Sequence, residues 1–253
     1  MIETNLIERS LYFPRHFKGE IHGPNPKWFI TGPSLPTTNG IVSAIFALDT
    51  IDTDIKTALA PFRSRSLSMK WWVGPSSAPQ NLGQYLQNYG LTHNRDMMGM
   101  AMDLHQLPEP APIPDLTFER VNNKETLAQW YNLLRAGFPI SFDQTYLDAL
   151  AVTSLGPDTP ERNYIARLNG EIVSISTLFL GGGVAGLYNM VTRPQARGQG
   201  LGTWMTIKTF QETPPLGYHI ATLQTTYPNA LRLYHRLGFE VYCKIGIYHY
   251  RPR

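Results

Sequence analysis

From Leu116 onward the pattern of apolar and polar positions divides the chain into elements. Leu116–Val121 alternates between the two kinds of residue and predicts a strand. Asn122 or Asn123 supplies a helix cap, and Leu127, Trp130, Tyr131 and Leu134 then recur at helical spacing as far as Gly137. Asp143 offers the cap of a second helix carrying Tyr146, Leu147, Leu150 and Ala151. Asn163–Leu168 and Glu171–Leu180 read as strands joined by the hairpin signal Asn169-Gly170. Gly181-Gly182-Gly183 turns the chain into a third strand, Val184–Thr192. A glycine-punctuated stretch leads to a helix over Leu201–Gln211. Beyond Pro214-Pro215 come a strand over Ile220–Thr225, a helix over Asn229–Leu237 and a last strand over Phe239–Tyr250. The order β-α-α-β-β-β-α-β-α-β predicts a mixed α/β fold, with a mostly antiparallel central sheet flanked by helices.

Ahead of this run lies Leu107-Pro-Glu-Pro-Ala-Pro-Ile-Pro114, whose alternating prolines favour an extended, semi-rigid connector. It divides the chain into 1–107, a linker at 108–115, and 116–253. The first part repeats the second weakly at an offset of 148: Asn81 falls on Asn229, Gly90 on Gly238 and Leu91 on Phe239. Trp71-Trp72-Val73 resembles a buried strand, and Met98, Met100 and Met102 one face of the next. These matches predict a worn second copy of the same fold. Trp28, Trp71 and Trp72 read as core, with the lining of a pocket as the alternative.

Composition narrows the function. A formal charge of +3 from scattered Lys and Arg lacks the dense basic stripe of a nucleic-acid binder, yet suits a small anionic ligand. The single cysteine, Cys243, excludes an intrachain disulfide and reads as a packed thiol. No CxxC or HExxH occurs, so no metal is expected. The N-terminus MIETNLIERSLYFPRHF has neither a signal-peptide pattern nor an apolar span, which makes the cytoplasm the default location and a membrane partner unexpected.

The chemistry concentrates in Asn189-Met-Val-Thr-Arg-Pro-Gln-Ala-Arg-Gly-Gln-Gly-Leu-Gly-Thr203, between a predicted strand and a predicted helix. Glycines 198, 200 and 202 let the main chain curl and approach a ligand, and consecutive N–H groups at a helix start attract an anion such as a pyrophosphate. Gly202 is followed by Thr203-Trp204 rather than the Lys-Ser/Thr of a Walker A loop. Thr203 also stands where a dinucleotide-binding GxGxxG needs glycine. Neither HRD nor DFG occurs, which excludes a protein kinase.

The spacing RxxGxG at Arg197, Gly200 and Gly202, preceded by the turn Val191-Thr-Arg-Pro194, resembles the pyrophosphate loop of the GCN5-related N-acetyltransferase (GNAT) family, with Thr203 where that family prefers Ala or Gly. Asn229-Ala-Leu-Arg-Leu-Tyr-His-Arg-Leu-Gly-Phe239 resembles a second family motif in its Asn, Tyr, Gly and Phe. The resemblance covers roughly residues 116–250 and implies the GNAT fold, here in two halves. It implies an N-acetyltransferase that passes the acetyl group of acetyl-CoA directly to the amine of a small molecule.

By the same resemblance, Met190, Val191 and Thr192 would offer main-chain groups to the pantetheine arm, one of their N–H donors stabilising the oxyanion. Arg197, Gly198, Gln199, Gly200, Leu201, Gly202 and Thr203 would hold the pyrophosphate, and Asn229 would touch the arm unless it is a plain helix cap. Tyr234 would protonate the departing thiolate, the alternative being a packed helix tyrosine. No base is named. The strand Val184–Val191 has no carboxylate, Tyr188, Asn189 or Glu171 can position a water, and His219 qualifies by pKa alone, a strand-edge surface residue being the plainer reading. The N-terminal copy has Leu86 in place of Tyr234 and no RxxGxG, so it would be silent. A non-catalytic CoA-binding sensor or scaffold is the rival reading, and the acceptor stays open among polyamines, amino acids, antibiotics and peptide N-termini.

Overall fold

The computed structural model describes residues 1–16, 19–31, 39–138 and 144–252. In chain order the elements are α1 (Ile2–His16), β1 (Glu20–His22), β2 (Lys27–Ile30), β3 (Asn39–Ser43), α2 (Ile51–Ser64), β4 (Met69–Val73), α3 (Leu82–Asn88) and β5 (Thr92–Asp103). After these come β6 (Leu116–Arg120), α4 (Lys124–Gly137), α5 (Gln144–Ser154), β7 (Glu161–Leu168), β8 (Glu171–Gly181), β9 (Val184–Thr192), α6 (Leu201–Gln211), β10 (Ile220–Thr225), α7 (Pro228–Arg236) and β11 (Glu240–Tyr250). They form two compact units, one of residues 1–6 and 100–241, the other of residues 7–99 and 242–253.

In the first unit, β6, β7, β8 and β9 run antiparallel in that order, and β10 then joins β9 in parallel. The expected three-strand meander is therefore present, its first turn closed by Asn169 and Gly170 with φ of +51° and +84°. Asn123 caps α4 by accepting from the Thr126 N–H at 2.9 Å. The expected cap Asp143 lies outside the described residues. The proline-rich segment belongs to this unit, where Ile113 packs beside Leu116 and Gln211 Nε2 donates to Glu109 at 3.0 Å. The division between units falls within β5, after Gly99, and within β11, after Val241.

One face of the sheet is covered by α6 and α7. Met205, Ile207, Phe210, Tyr164, Leu178, Leu187, Leu223 and Phe239 interlock there without exposure to solvent beyond a few percent. Each such side chain contributes roughly 1.5–3 kcal/mol by leaving water. The opposite face meets the first turn of α1, where Asn5 is fully buried. Its Nδ2 lies within 3.3 Å of the carbonyls of Phe179, Gly181 and Val184, and its Oδ1 accepts from the Tyr188 hydroxyl at 2.7 Å. A side chain at Gly186 would collide with Asn5 Oδ1, so glycine is what lets Asn5 lie across the β8–β9 hairpin.

The second unit carries β1, β2, β3, β4, β11 and the first residues of β5, with Ile41, Ile55, Leu59, Phe62, Met69, Trp71, Leu82 and Leu86 in its core. Trp71 is fully buried; Trp28 packs edge-on to Phe62 and Trp72 beside Phe29, as core residues do. Met100 and Met102, on the continuation of β5, are buried in the first unit.

Replacing Asn5 by Leu removes its hydrogen bonds to three hairpin carbonyls and to the Tyr188 hydroxyl. The expected loss of stability is about 1–3 kcal/mol, read as a lower Tm in thermal unfolding. An unchanged Tm would show that the hairpin does not depend on Asn5.

Candidate functional site

The site begins where β9 loses a neighbour. Ala185, Gly186 and Leu187 pair with Ala221, Thr222 and Leu223 of β10, and among the described residues no pair joins Tyr188–Thr192 to that strand. The register against β8 slips at the same level. Thr177 faces Tyr188 and Ile175 faces Val191, so Asn189 and Met190 together oppose Ser176 alone. This is a β-bulge, which bends a strand and breaks its ladder. Asn189 takes the left-handed conformation, φ +50°, which costs an ordinary L-residue about 1–2 kcal/mol and is most tolerable to Asn and Asp. The main chain of Met190, Val191 and Thr192 thus has no β10 partner on that edge, while the Val191 carbonyl accepts from the Ser174 hydroxyl at 2.9 Å.

The chain then passes a single 3-10 turn at Pro194–Ala196 and enters α6. Buried Ala196 and Leu201 pin this passage against Val173 and leave the glycines between them outside. Gly198 and Gly200 have φ of +81° and +77°, and a Cβ at either would meet nothing within 4 Å. Conformation, not crowding, demands glycine here, and the space ahead of the loop is open. Gly200 caps α6 with no side-chain hydrogen bond, and no acidic residue lies in the first turn. The first helical bond runs from Trp204 N–H to Gly200 O at 3.0 Å, so the N–H groups of Leu201, Gly202 and Thr203 have no partner inside the helix. With the helix dipole behind them they form an anion site. Arg197, exposed, donates from Nε to the Thr192 carbonyl at 3.2 Å and ties the loop to the end of β9.

Tyr234 lies in α7 in the same unit, its ring edge-on to Phe239 at 5.8 Å between centroids. Burial pushes its phenol well above the usual tyrosine range, and its hydroxyl bonds no described residue. It is a protonated donor in apolar surroundings. Asn229 is the exposed second residue of α7. The cap, its alternative role, falls to Tyr227, because Pro228, with no N–H to satisfy, takes the first helical position.

The candidates for a base fare unequally. His219 is exposed, stacked on His105 at 5.0 Å, and precedes the start of β10. The gap opens beyond Leu223, about 13 Å further along an extended strand, so His219 is the surface histidine of the plainer reading. Glu171 starts β8, is 77% exposed and stands 3.5 Å from Arg193. It borders two shallow cavities, of about 720 Å³ beside α4 and about 490 Å³ reaching Gln199. Tyr188 and Asn189 are at the gap itself. Cys243, half-buried in β11, belongs to the other unit. Among the described residues no cluster of His, Cys, Asp or Glu has the make-up of a metal site, and no helix is long and apolar enough to cross a membrane.

Three residues absent from the sequence reading lie on the sheet face that Tyr188 presents. Asn163 and Thr177, both fully buried, and Gln224 share one face of the sheet with Tyr188 by their register. Asn163 Nδ2, Gln224 Nε2 and the hydroxyl of buried Thr222 have no hydrogen-bond partner among the described residues. The only signal for them in the sequence is a polar residue at an inward strand position.

Residues 127–239 match the model of the Acetyltransferase (GNAT) family, and this stretch holds both the bulged strand and the loop. No curated protein matches the chain. Among solved structures, a GCN5-related N-acetyltransferase from Kribbella flavida superposes with a TM-score of 0.79 at 16% identity, covering 99% of this chain and 96% of its own. One from Sphaerobacter thermophilus gives 0.69 at 16% identity, over 94% of this chain and 84% of its own. A tandem GNAT protein from the clavulanic acid biosynthesis pathway gives 0.62 at 13% identity, over 93% and 79%. The fold is thus the GNAT fold, and the matched domain is that of an acetyl-CoA-dependent acyltransferase.

The Tyr234 phenol has its pKa raised on folding, so the neutral form is favoured. Its contribution to stability is complete below the unfolded value of about 10 and is lost as pH rises beyond it. A spectroscopic pH titration of the protein against Tyr234→Phe should show the missing phenol titrating above the ordinary tyrosine range. A difference centred near 10 would place that hydroxyl in solvent.

Proposed function

We propose that the chain transfers the acetyl group of acetyl-CoA to the amine of a small molecule by direct attack, with Tyr234 as the general acid. The observation that carries this reading is the parting of β9 from β10 immediately before an uncapped, acid-free helix start. The pantetheine arm is an extended amide chain and pairs with main-chain groups of Met190, Val191 and Thr192 on the edge that β10 has left, as an added strand. One of their N–H groups meets the thioester carbonyl and stabilises the oxyanion that forms on attack. The pyrophosphate rests on the N–H groups of residues 197–203, where no carboxylate of the first turn opposes it. Asn229, at the start of α7, reaches the arm from the other side.

The amine nitrogen bonds to the acetyl carbon, the tetrahedral intermediate collapses, and the C–S bond breaks. The Tyr234 O–H supplies the proton for the departing thiolate, which suits a buried phenol held neutral. The amine loses its own proton to solvent through the polar groups at the gap, Tyr188 and Asn189 among them.

The N-terminal part reads as a worn second copy. The turn after α3 supports this, bond by bond, at the offset of 148. Leu91 N–H reaches Leu86 O at 3.2 Å as Phe239 N–H reaches Tyr234 O at 3.0 Å, and Gly90 N–H reaches Gln87 O at 3.1 Å as Gly238 N–H reaches His235 O at 3.0 Å. β3 and β4 pair in parallel, as β9 and β10 do. The sequence halves 1–107 and 116–253 coincide with the compact units except at residues 1–6, from residue 100 to the end of the first half, and from residue 242 onward. The copy is silent for electrostatic reasons as well: α2, in the place of α6, opens with Asp52 and Asp54. The tandem GNAT protein noted above is a precedent for the arrangement.

Two variants test the reading. Gly200→Glu puts a carboxylate before the helix start and should abolish the acetyl-CoA binding that calorimetry detects in the wild type. Tyr234→Phe should lower kcat by about 10²–10⁴ with acetyl-CoA affinity unchanged. Binding without turnover for any amine in the wild type would leave a CoA-binding module in place of the enzyme, and no binding at all would overturn both.

A further inference from the structure

The bulge in β9 needs something to hold it. Ordinary antiparallel pairing would take Asn189 back to extended backbone and restore the ladder, so the left-handed residue persists only where its surroundings fix it. A chain of side-chain hydrogen bonds crosses three strands to that residue. Asn189 Nδ2 donates to Thr177 Oγ1 at 3.1 Å, and Thr177 Oγ1 donates to Asn163 Oδ1 at 2.6 Å. Asn163 and Thr177 are fully buried and face each other across β7 and β8 in register. The Thr177 hydroxyl has one proton, and Asn163 Oδ1 takes it, so its lone pairs are turned toward Asn189. Trp130 Nε1–H closes the other side by donating at 3.2 Å to the carbonyl of Ser176, the residue that faces the bulge.

We propose that Thr177, oriented by Asn163, is a positioning residue that clamps Asn189 in its left-handed conformation and thereby sets the opening between β9 and β10. The clamp acts on the slot rather than on the reacting atoms: neither side chain needs to touch a ligand. Only the identity of what enters the slot, the acyl-CoA arm, rests on the function proposed above. A polar chain whose far end, Asn163 Nδ2, is buried with no partner among the described residues is a poor way to stabilise a sheet core. It is intelligible as a device that trades core stability for a fixed break in the ladder.

The test compares Thr177→Val, which keeps the shape and deletes the hydroxyl, with Thr177→Ser, which keeps the hydroxyl. Ile165→Val, a buried change in β7 outside the chain of bonds, controls for general loosening at matched distance from each variant's own Tm. In the ligand-free protein, Thr177→Val should speed hydrogen exchange by about tenfold at Val191, paired with Ile175 beside the bulge, and at Arg193, whose N–H bonds the Val173 carbonyl at 2.9 Å, the effect of losing roughly one hydrogen bond. Thr177→Ser should restore the wild-type rates, and Ile165→Val should leave them unchanged. Calorimetry should show acetyl-CoA affinity falling by a similar factor in Thr177→Val alone, with KM for the amine unchanged. Equal exchange rates and affinities in Thr177→Val and Ile165→Val would overturn the clamp. If the wild type binds no acetyl-CoA, the proposed function fails, and the exchange rates by themselves still decide for or against the clamp.

Discussion

An interior β-strand satisfies its main chain by pairing on both edges, and breaking that pairing inside a sheet is costly unless something else takes the free groups. In this protein β9 is paired on both sides only as far as Leu187, after which a single extra residue turns it away from β10. The unpaired edge of Met190–Thr192, from which the chain enters the glycine loop and α6, begins at that one departure. A regular strand at this place would stay paired with β10 and leave no slot.

Holding the departure open takes polar groups in places that usually favour apolar ones. β8 is buried almost end to end, yet contains Ser174, Ser176 and Thr177. Each is bonded: Ser174 to the Val191 carbonyl at 2.9 Å, Ser176 to Thr209 of α6 at 2.7 Å, and Thr177 to Asn163 at 2.6 Å. These three tie the bulged strand, the helix that follows it and the neighbouring strand to one central strand. The cost of burying them is offset by the large apolar contact of α6 with the sheet, in which Met205 and Phe210 are fully buried.

The two units illustrate how little separates a helix start that welcomes an anion from one that repels it. In α2 the first turn carries Asp52 and Asp54, and these accept from the Tyr89 and Thr50 hydroxyls. In α6 the first turn carries no charge and the cap is a glycine in the left-handed conformation.

The sequence by itself determined the elements from Leu116 onward, because hydrophobic period, hairpin residues and caps are local properties. The glycine loop was equally legible: a left-handed main chain needs glycine at fixed places whatever surrounds it. Of the two roles the sequence offers Asn229, the cap goes to Tyr227, because Pro228 takes the first helical position, a contest decided by one missing N–H. The tertiary structure alone decided where β9 leaves β10, since a bulge depends on the register of two strands and leaves no composition of its own. It also decided which polar residues matter. Asn5, Asn163 and Thr177 look ordinary in the sequence, and only long-range pairing brings their hydrogen-bonding groups to the hairpin and the bulge. Tertiary structure likewise set aside His219, whose chemistry suited a base, by fixing it at the closed end of the strand whose other end opens the site.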